Sequence, residues 1–130
     1  MPKTKQKEEA GAEGLKRKKF YPGDVIFQQG KEGDTAYLIA EGEVEIYRTS
    51  GRGELGVASL SRGEIFGEMS LIDGHPRAAS ARAVGEVEVV LITPKDLEKR
   101  LKALAGTDGV LRRLIDVYVL RLRGHLTRGE

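Results

Sequence analysis

The chain contains no cysteine. Disulfides, thiolate metal sites and cysteine nucleophiles are therefore excluded, and a reducing cytoplasm fits. Histidine is scarce too, with His75 and His125 the only two. Neither stands at a metal-ligand spacing, so the clustered histidines of metal-dependent β-roll enzymes are missing. No Ser/His/Asp arrangement has local support. No catalytic residue, no metal site and no cofactor are expected, and the chain reads as a non-enzyme. Long apolar runs are also lacking, which leaves no membrane span. The N-terminus is charged and has no apolar stretch of the kind a secretory signal needs. The expected setting is the cytoplasm.

A length of 130 residues suggests one domain, able to bury a core without staples. The net charge of +2 is unevenly spread: residues 1–19 carry +4, residues 20–94 carry −6, and residues 95–130 carry +4. Both ends are basic around an acidic body. Basic ends invite contact with nucleic acid or a membrane, yet a solvated tail and a charged helix face explain them as well. Residues 1–19 hold few apolar side chains and many Lys, Glu and Gly, the composition of a flexible basic tail. Residues 20–130 then form the folded domain, with a roll over 20–93 and helices over 94–130.

Between Phe20 and Ile92, short apolar runs alternate with glycine punctuation, as in an all-β roll or barrel. Tyr21-Pro22-Gly23-Asp24 is a turn signature, and Val25-Ile26-Phe27 is the strand after it. Gly30 and Gly33-Asp34 bracket a second turn. Strands are expected at Ala36–Ala40 and from Val44 onward, with Glu41-Gly42-Glu43 as a hairpin loop between them. Residues 49–54 read as a loop, Leu55–Leu60 as a strand, and Ser61-Arg62-Gly63-Glu64 as a turn. The last strands fall at Ser80–Val84 and Val87–Ile92, turning at Gly85-Glu86. Thr93-Pro94-Lys95-Asp96 is a helix start, with a capping threonine, proline at the first helical position and an acid in the first turn. Leu97, Leu101 and Leu104 supply that helix with an apolar stripe. Gly106-Thr107-Asp108-Gly109 breaks it. A second helix is expected from about Val110 to His125. Its Leu111, Leu114, Ile115, Tyr118, Val119, Leu122 and Leu126 share one face, expected to pack on the roll. Val117 and Leu120 lie off that face and leave room for a homodimer contact.

One run carries chemistry: Phe66-Gly67-Glu68-Met69-Ser70-Leu71-Ile72-Asp73-Gly74-His75-Pro76-Arg77-Ala78-Ala79-Ser80. It places a glycine and a carboxylate at the mouth of a short helical turn, with an arginine nine residues after the carboxylate. Free N–H groups at a helix start hold an anion. A guanidinium adds a planar, permanently charged fork for phosphate oxygens. A carboxylate only accepts, so it suits a sugar hydroxyl and repels a phosphate.

This run resembles the phosphate-binding cassette of the cyclic nucleotide-binding domain family, in Phe-Gly-Glu followed by Pro-Arg-Ala-Ala. Gly23-Asp24, Gly33-Asp34 and Gly42 extend the resemblance over roughly residues 20–105. It implies a mainly β fold with flanking helices: a β-roll of double-stranded jelly-roll type, a short phosphate-binding helix within the cassette at 66–80, and two C-terminal helices. It implies that Glu68 accepts from the ribose 2′-hydroxyl and that Arg77 pairs with the cyclic phosphate. The amides of Gly67, Ser70 and Ala78 would complete the anion site, and Met69 and Ala79 belong to the same binding set. Ala78 offers no hydroxyl to a guanine amino group, which leans toward cyclic AMP and leaves cyclic GMP open.

The function implied is a regulatory module in signal transduction, which converts nucleotide binding into movement of its C-terminal helices. Its protein effector is unknown. The last helix would close as a lid, with Tyr118, Leu122 or Leu126 against the base, or pair with its mate in a dimer. Two departures from the family stand out. The tail is short and poor in helical pattern where many members carry a coupling helix. The 36 residues after the roll fit two helices, leaving no chain for a DNA-binding domain, so the protein is either free-standing or a piece of a larger one. An alternative reading keeps the roll as a ligand-free protein-interaction domain.

Overall fold

Val87 and Val89 are side by side on one face of a strand and almost wholly buried, and that face is the floor of the core. The computed structural model describes residues 14–117, without the side chains of Ile72 and Asp73. The strands are β1 (Arg17–Phe20), β2 (Val25–Phe27), β3 (Ala36–Glu41), β4 (Glu43–Ser50), β5 (Gly53–Ser61), β6 (Ile65–Phe66), β7 (Ser80–Ala83) and β8 (Val87–Ile92). They form two four-stranded sheets, in the orders β1-β8-β3-β6 and β2-β7-β4-β5. Each described pairing is antiparallel. Phe20, Ile39, Phe66, Val87 and Val89 from one sheet meet Val44, Ala81 and Ala83 from the other. Alternating residues point inward from each strand, as two packed sheets require. The expected β-roll with flanking helices is thus the observed architecture.

Several local expectations change. The ordered roll starts three residues early, because Arg17, Lys18 and Lys19 pair with Val90, Val89 and Glu88. Glu88 faces out of the core yet is buried, with Arg17 3.6 Å away as its ion-pair partner. Glu41-Gly42-Glu43 is not a hairpin loop. β3 pairs with β6 and β8, whereas β4 pairs with β5 and β7, so Gly42 is the corner where the chain crosses between sheets. Its φ is +98°, and a Cβ there would lie 2.4 Å from the Glu86 carbonyl oxygen. Only glycine fits so close a backbone approach. The loop expected at 49–54 shrinks to a turn at Gly51-Arg52, because Ser50 pairs with Gly53.

A register shift between Ile46 and Tyr47 marks a bulge against β5. Tyr47 is buried on the outer face, where the Arg82 guanidinium lies 4.1 Å from its ring centroid. Arg82 is itself tethered by Glu45 at 2.9 Å and Glu54 at 3.1 Å.

Helix α1 (Met69–Asp73) interrupts the strands, and α2 (Pro94–Ala105) follows β8. Helix α3 runs from 109 through 117, the last described residue. Thr93 caps α2 as expected, accepting from the Asp96 N–H at 3.1 Å, while Asp96 accepts from the Thr93 N–H at 3.0 Å. The buried stripe of α2 runs through half-buried Leu97 and Leu101 to Ala105; Leu104 is 82% exposed. On α3 only Ile115 is buried, and Leu114 is 59% exposed. The face expected to pack on the roll is therefore mostly open over 111–117. The expectations for Tyr118, Val119, Leu120, Leu122 and Leu126, and for residues 1–13, lie outside the described residues. Asp108 caps α3, and Lys102 joins the two helices through Asp116 at 3.1 Å.

The Thr93 N–H, more than any other group, holds the Asp96 carboxyl below its usual range. A lowered folded pKa means that this contribution is complete above the ordinary carboxylate pKa and fades as pH falls through the folded value. Thr93→Ala is expected to lower stability by about 1 kcal/mol at neutral pH. Urea unfolding of the two proteins checks it, and an unchanged midpoint would show that the cap contributes nothing.

Candidate functional site

The inner face of the β4–β5 sheet is left incompletely covered at Ile46 and Leu60. There a cleft of about 580 Å³ opens, with Ile46, Leu60 and Ile65 among its apolar residues. Its volume falls within the usual range of small-molecule sites. All seven residues singled out from the sequence, Gly67, Glu68, Met69, Ser70, Arg77, Ala78 and Ala79, line it.

The chain arrives along β6 and turns at Gly67, whose φ of +74° lies in the left-handed region. Helix α1 follows and ends at Gly74, also left-handed with φ +66°. Five residues are too few for a strong macrodipole, so the local N–H groups carry any anion preference. Among the described residues, no hydrogen bond occupies the N–H of Gly67, Glu68, Met69, Ser70, Ala78 or Ala79. Glu68 stands at the helix entry, exposed, and its side chain makes no cap bond. Ser70 is buried.

Arg77 is fixed at both backbone and side chain. Its N–H donates to the Lys31 carbonyl at 2.9 Å, and its own carbonyl accepts from the Gly30 N–H at 2.8 Å. The guanidinium is buried, at 6% exposure for the residue. Nη1 donates to the Gly67 carbonyl at 3.1 Å and Nη2 to the Thr35 carbonyl at 2.9 Å. Nε is buried without a partner. Burial lowers the Arg77 pKa, with Tyr37 and Asp34 opposing that shift. The group nevertheless stays a cation, because arginine does not deprotonate in proteins. Burial likewise raises the Tyr37 phenol. Arg77 makes no ion pair with any described residue. A permanently charged group with a spare buried donor and no carboxylate in ion-pair contact has the chemistry to meet an anion.

The sequence reading missed Phe27, Gly33, Thr35 and Tyr37, which surround Arg77. Gly33 was legible as a turn glycine and part of the resemblance, Phe27 and Tyr37 only as strand residues, and Thr35 stood just ahead of the expected strand. A second cleft, about 940 Å³, lies over β1, β8 and β3. Its Arg17, Lys19 and Arg62 are balanced by Glu41, Glu86 and Glu88, so it does not concentrate charge of one sign. Among the described residues no acidic or histidine cluster could hold a metal ion, and no helix is long and apolar enough to cross a membrane.

The chain matches the model of the cyclic nucleotide-binding domain over residues 17–103, and it belongs to that family. It is 38% identical over 102 residues to a cAMP-dependent protein kinase regulatory subunit of Hypocrea atroviridis, covering 78% of this chain and 21% of that protein. It is 43% identical over 94 residues to the cyclic AMP receptor protein of Thermus thermophilus, covering 68% of this chain and 44% of that one. The chain thus spans less than half the length of either relative. Among solved structures, the half-site-occupied form of the EAL enzyme Bd1971 superposes with a TM-score of 0.69 at 37% identity, over 84% of this chain and 96% of that one. Its cAMP-bound form superposes with a TM-score of 0.62 at 37% identity, over 86% of this chain and 30% of that one.

Gly67→Ala tests how tightly the turn is built. The new Cβ would lie 2.9 Å from Arg77 Nη1 and 3.1 Å from a Phe27 ring carbon, at a φ that costs an L-residue roughly 1–2 kcal/mol. Thermal unfolding is expected to show a loss of at least that size, and an unchanged melting temperature would contradict the geometry.

Proposed function

We propose that the cleft binds a 3′,5′-cyclic nucleotide, with cyclic AMP preferred, and that occupancy biases the position of the C-terminal helices. The observation carrying this reading is the buried, unpaired Nε of Arg77 beside a set of free backbone N–H groups. The phosphate takes Arg77 and the amides of Gly67, Ser70 and Ala78, with Met69 and Ala79 completing the wall. Glu68, an acceptor with no partner of its own, takes the ribose 2′-hydroxyl. The base lies toward Ile46, Leu60 and Ile65, a wall without hydrogen-bonding side chains.

The relatives' names support the ligand class and a regulatory, non-catalytic role. Preference for cyclic AMP rests on Ala78, which has no hydroxyl for a guanine amino group. That preference is modest, because an apolar wall rejects a close analogue only weakly. For the helices to respond, the nucleotide must bind one of their arrangements better than the other.

Calorimetric titration tests the reading. Cyclic AMP is expected to bind at micromolar concentration or below, and cyclic GMP less than about a hundredfold more weakly. Arg77→Ala is expected to lose roughly 2–5 kcal/mol of binding. No heat and no thermal stabilisation with either nucleotide would overturn the reading and leave the roll as an interaction domain.

A second reading concerns self-association. Val110, Leu114 and Val117 fall at i, i+4 and i+7 on α3 and are 74%, 59% and 40% exposed. That spacing suits pairing with a second copy of the helix. The chain is then expected to sediment as a dimer, and Leu114→Glu as a monomer. A wild-type monomer at high concentration would exclude this contact.

A further inference from the structure

The Arg77 guanidinium lies buried with no carboxylate in ion-pair contact among the described residues, and Asp34 acts on it only from farther away. Something else must offset the loss of water around that charge, since isolated buried charges are costly. Two backbone carbonyls account for part of it. The remaining neighbour of note is the Phe27 ring, whose centroid is 4.1 Å from Arg77 Cζ, with Tyr37 farther out at 5.9 Å. Phe27 is held by Phe66 and Tyr37, with ring centroids 5.8 Å and 5.7 Å away. Gly33 approaches so closely that a Cβ there would sit 2.9 Å from Nη2 and 3.1 Å from Nε. The guanidinium is therefore confined by an aromatic face, a bare glycine and two carbonyls.

We infer that Phe27 is a positioning residue for the anion site, acting as a π-face counterpart that holds the Arg77 cation while leaving its Nε–H, and the Nη protons not given to Gly67 and Thr35, for the ligand. This rests on the cyclic-nucleotide reading above. The chemical reason is directional. A carboxylate partner would bond in the guanidinium plane, consume N–H donors and repel an incoming phosphate. An aromatic ring attracts the cation through its face and takes no N–H. The unpaired Nε is what such an arrangement leaves over. Gly33 is the second element of the clamp, since any side chain there would push the plate away from its seat.

The test uses Phe27→Met, which fills much the same volume without a π-face, Phe27→Tyr, which keeps the face, and Gly33→Ala. The φ of Gly33 lies outside the left-handed region, so alanine there adds a methyl clash without backbone strain. Phe27→Met and Gly33→Ala are each expected to weaken cyclic AMP about tenfold, or about 1.4 kcal/mol. Phe27→Tyr should stay within about twofold of wild type. In an Arg77→Gln background, where no cation is left to meet the ring, Phe27→Met should change affinity less than about twofold. Equal weakening in both backgrounds would make Phe27 a mere wall of the cleft and overturn the proposal.

A ligand-independent readout separates the two readings. The Arg77 Nε–H resonance should be ring-shifted and slow to exchange in wild type and Phe27→Tyr, and solvent-like in Phe27→Met. If cyclic AMP fails to bind but that pattern holds, the nucleotide reading falls and the positioning role stands. If the resonance is unmoved by Phe27→Met, the positioning role falls whatever binds. Should Phe27→Met fail to fold, Gly33→Ala carries the same two measurements, and unchanged affinity together with an unmoved resonance there overturns the clamp.

Discussion

A buried guanidinium with no carboxylate in contact is the constraint on which this domain turns. Water solvates a cation so well that moving it inside costs several kcal/mol unless polar groups replace the water. Arg77 receives the carbonyls of Gly67 and Thr35 and the face of Phe27. These three come from the cassette, the residue just before β3 and the end of β2. They converge only if both sheets are assembled, because β2 and β3 lie in different sheets. The surroundings of Arg77 are thus a product of the whole roll, although Arg77 and the unbonded N–H groups of the cleft lie on one short run of sequence.

The packing of that roll explains why the site can stay rigid. The cassette is tied to the loop after β2 by the paired Arg77–Lys31 and Gly30–Arg77 backbone bonds, and by Gln29, whose N–H donates to Ser80 Oγ at 2.8 Å. Phe66 stacks on Tyr37 with centroids 5.1 Å apart, which anchors the strand leading into Gly67. Both ends of the cassette are therefore fixed by strands in the core. A loop held in this way can keep unpaired N–H groups near a cleft without collapsing to satisfy them internally.

What could be read from the sequence follows from range. The cassette is local: Gly67, Glu68, Ser70, Arg77 and Ala78 are close along the chain, so their spacing alone suggested their chemistry, and all of them line the cleft. Thr93 and Asp96 are three apart, and the cap was equally legible. Phe27 and Gly33 are 50 and 44 positions from Arg77, and no pattern in the chain announces that they meet it. The Gly42 corner was misread because a tight glycine turn looks the same whether the chain pairs with itself or changes sheet. Leu104 was misplaced because a helical period fixes a stripe only to within one position, and Ala105 is the residue that turned inward. Strand runs reveal their own existence, while their partners are a property of the assembled sheets.

The charge pattern sets a final condition on any anionic ligand. The body from 20 to 94 carries −6, so its long-range field opposes an approaching phosphate. At physiological ionic strength that field decays over roughly 8 Å. Contact forces act inside that distance, and buried donors are screened far less than surface charges. An acidic roll can therefore hold an anion only where water is excluded and donors are fixed in advance, as they are around Arg77. The same balance works against casual binding of anions elsewhere on the roll, where Arg17 and Arg82 already face glutamates and have their charge met. Arg17 and Arg82 thus differ from Arg77, whose guanidinium has no ion-pair partner among the described residues and lines the cleft.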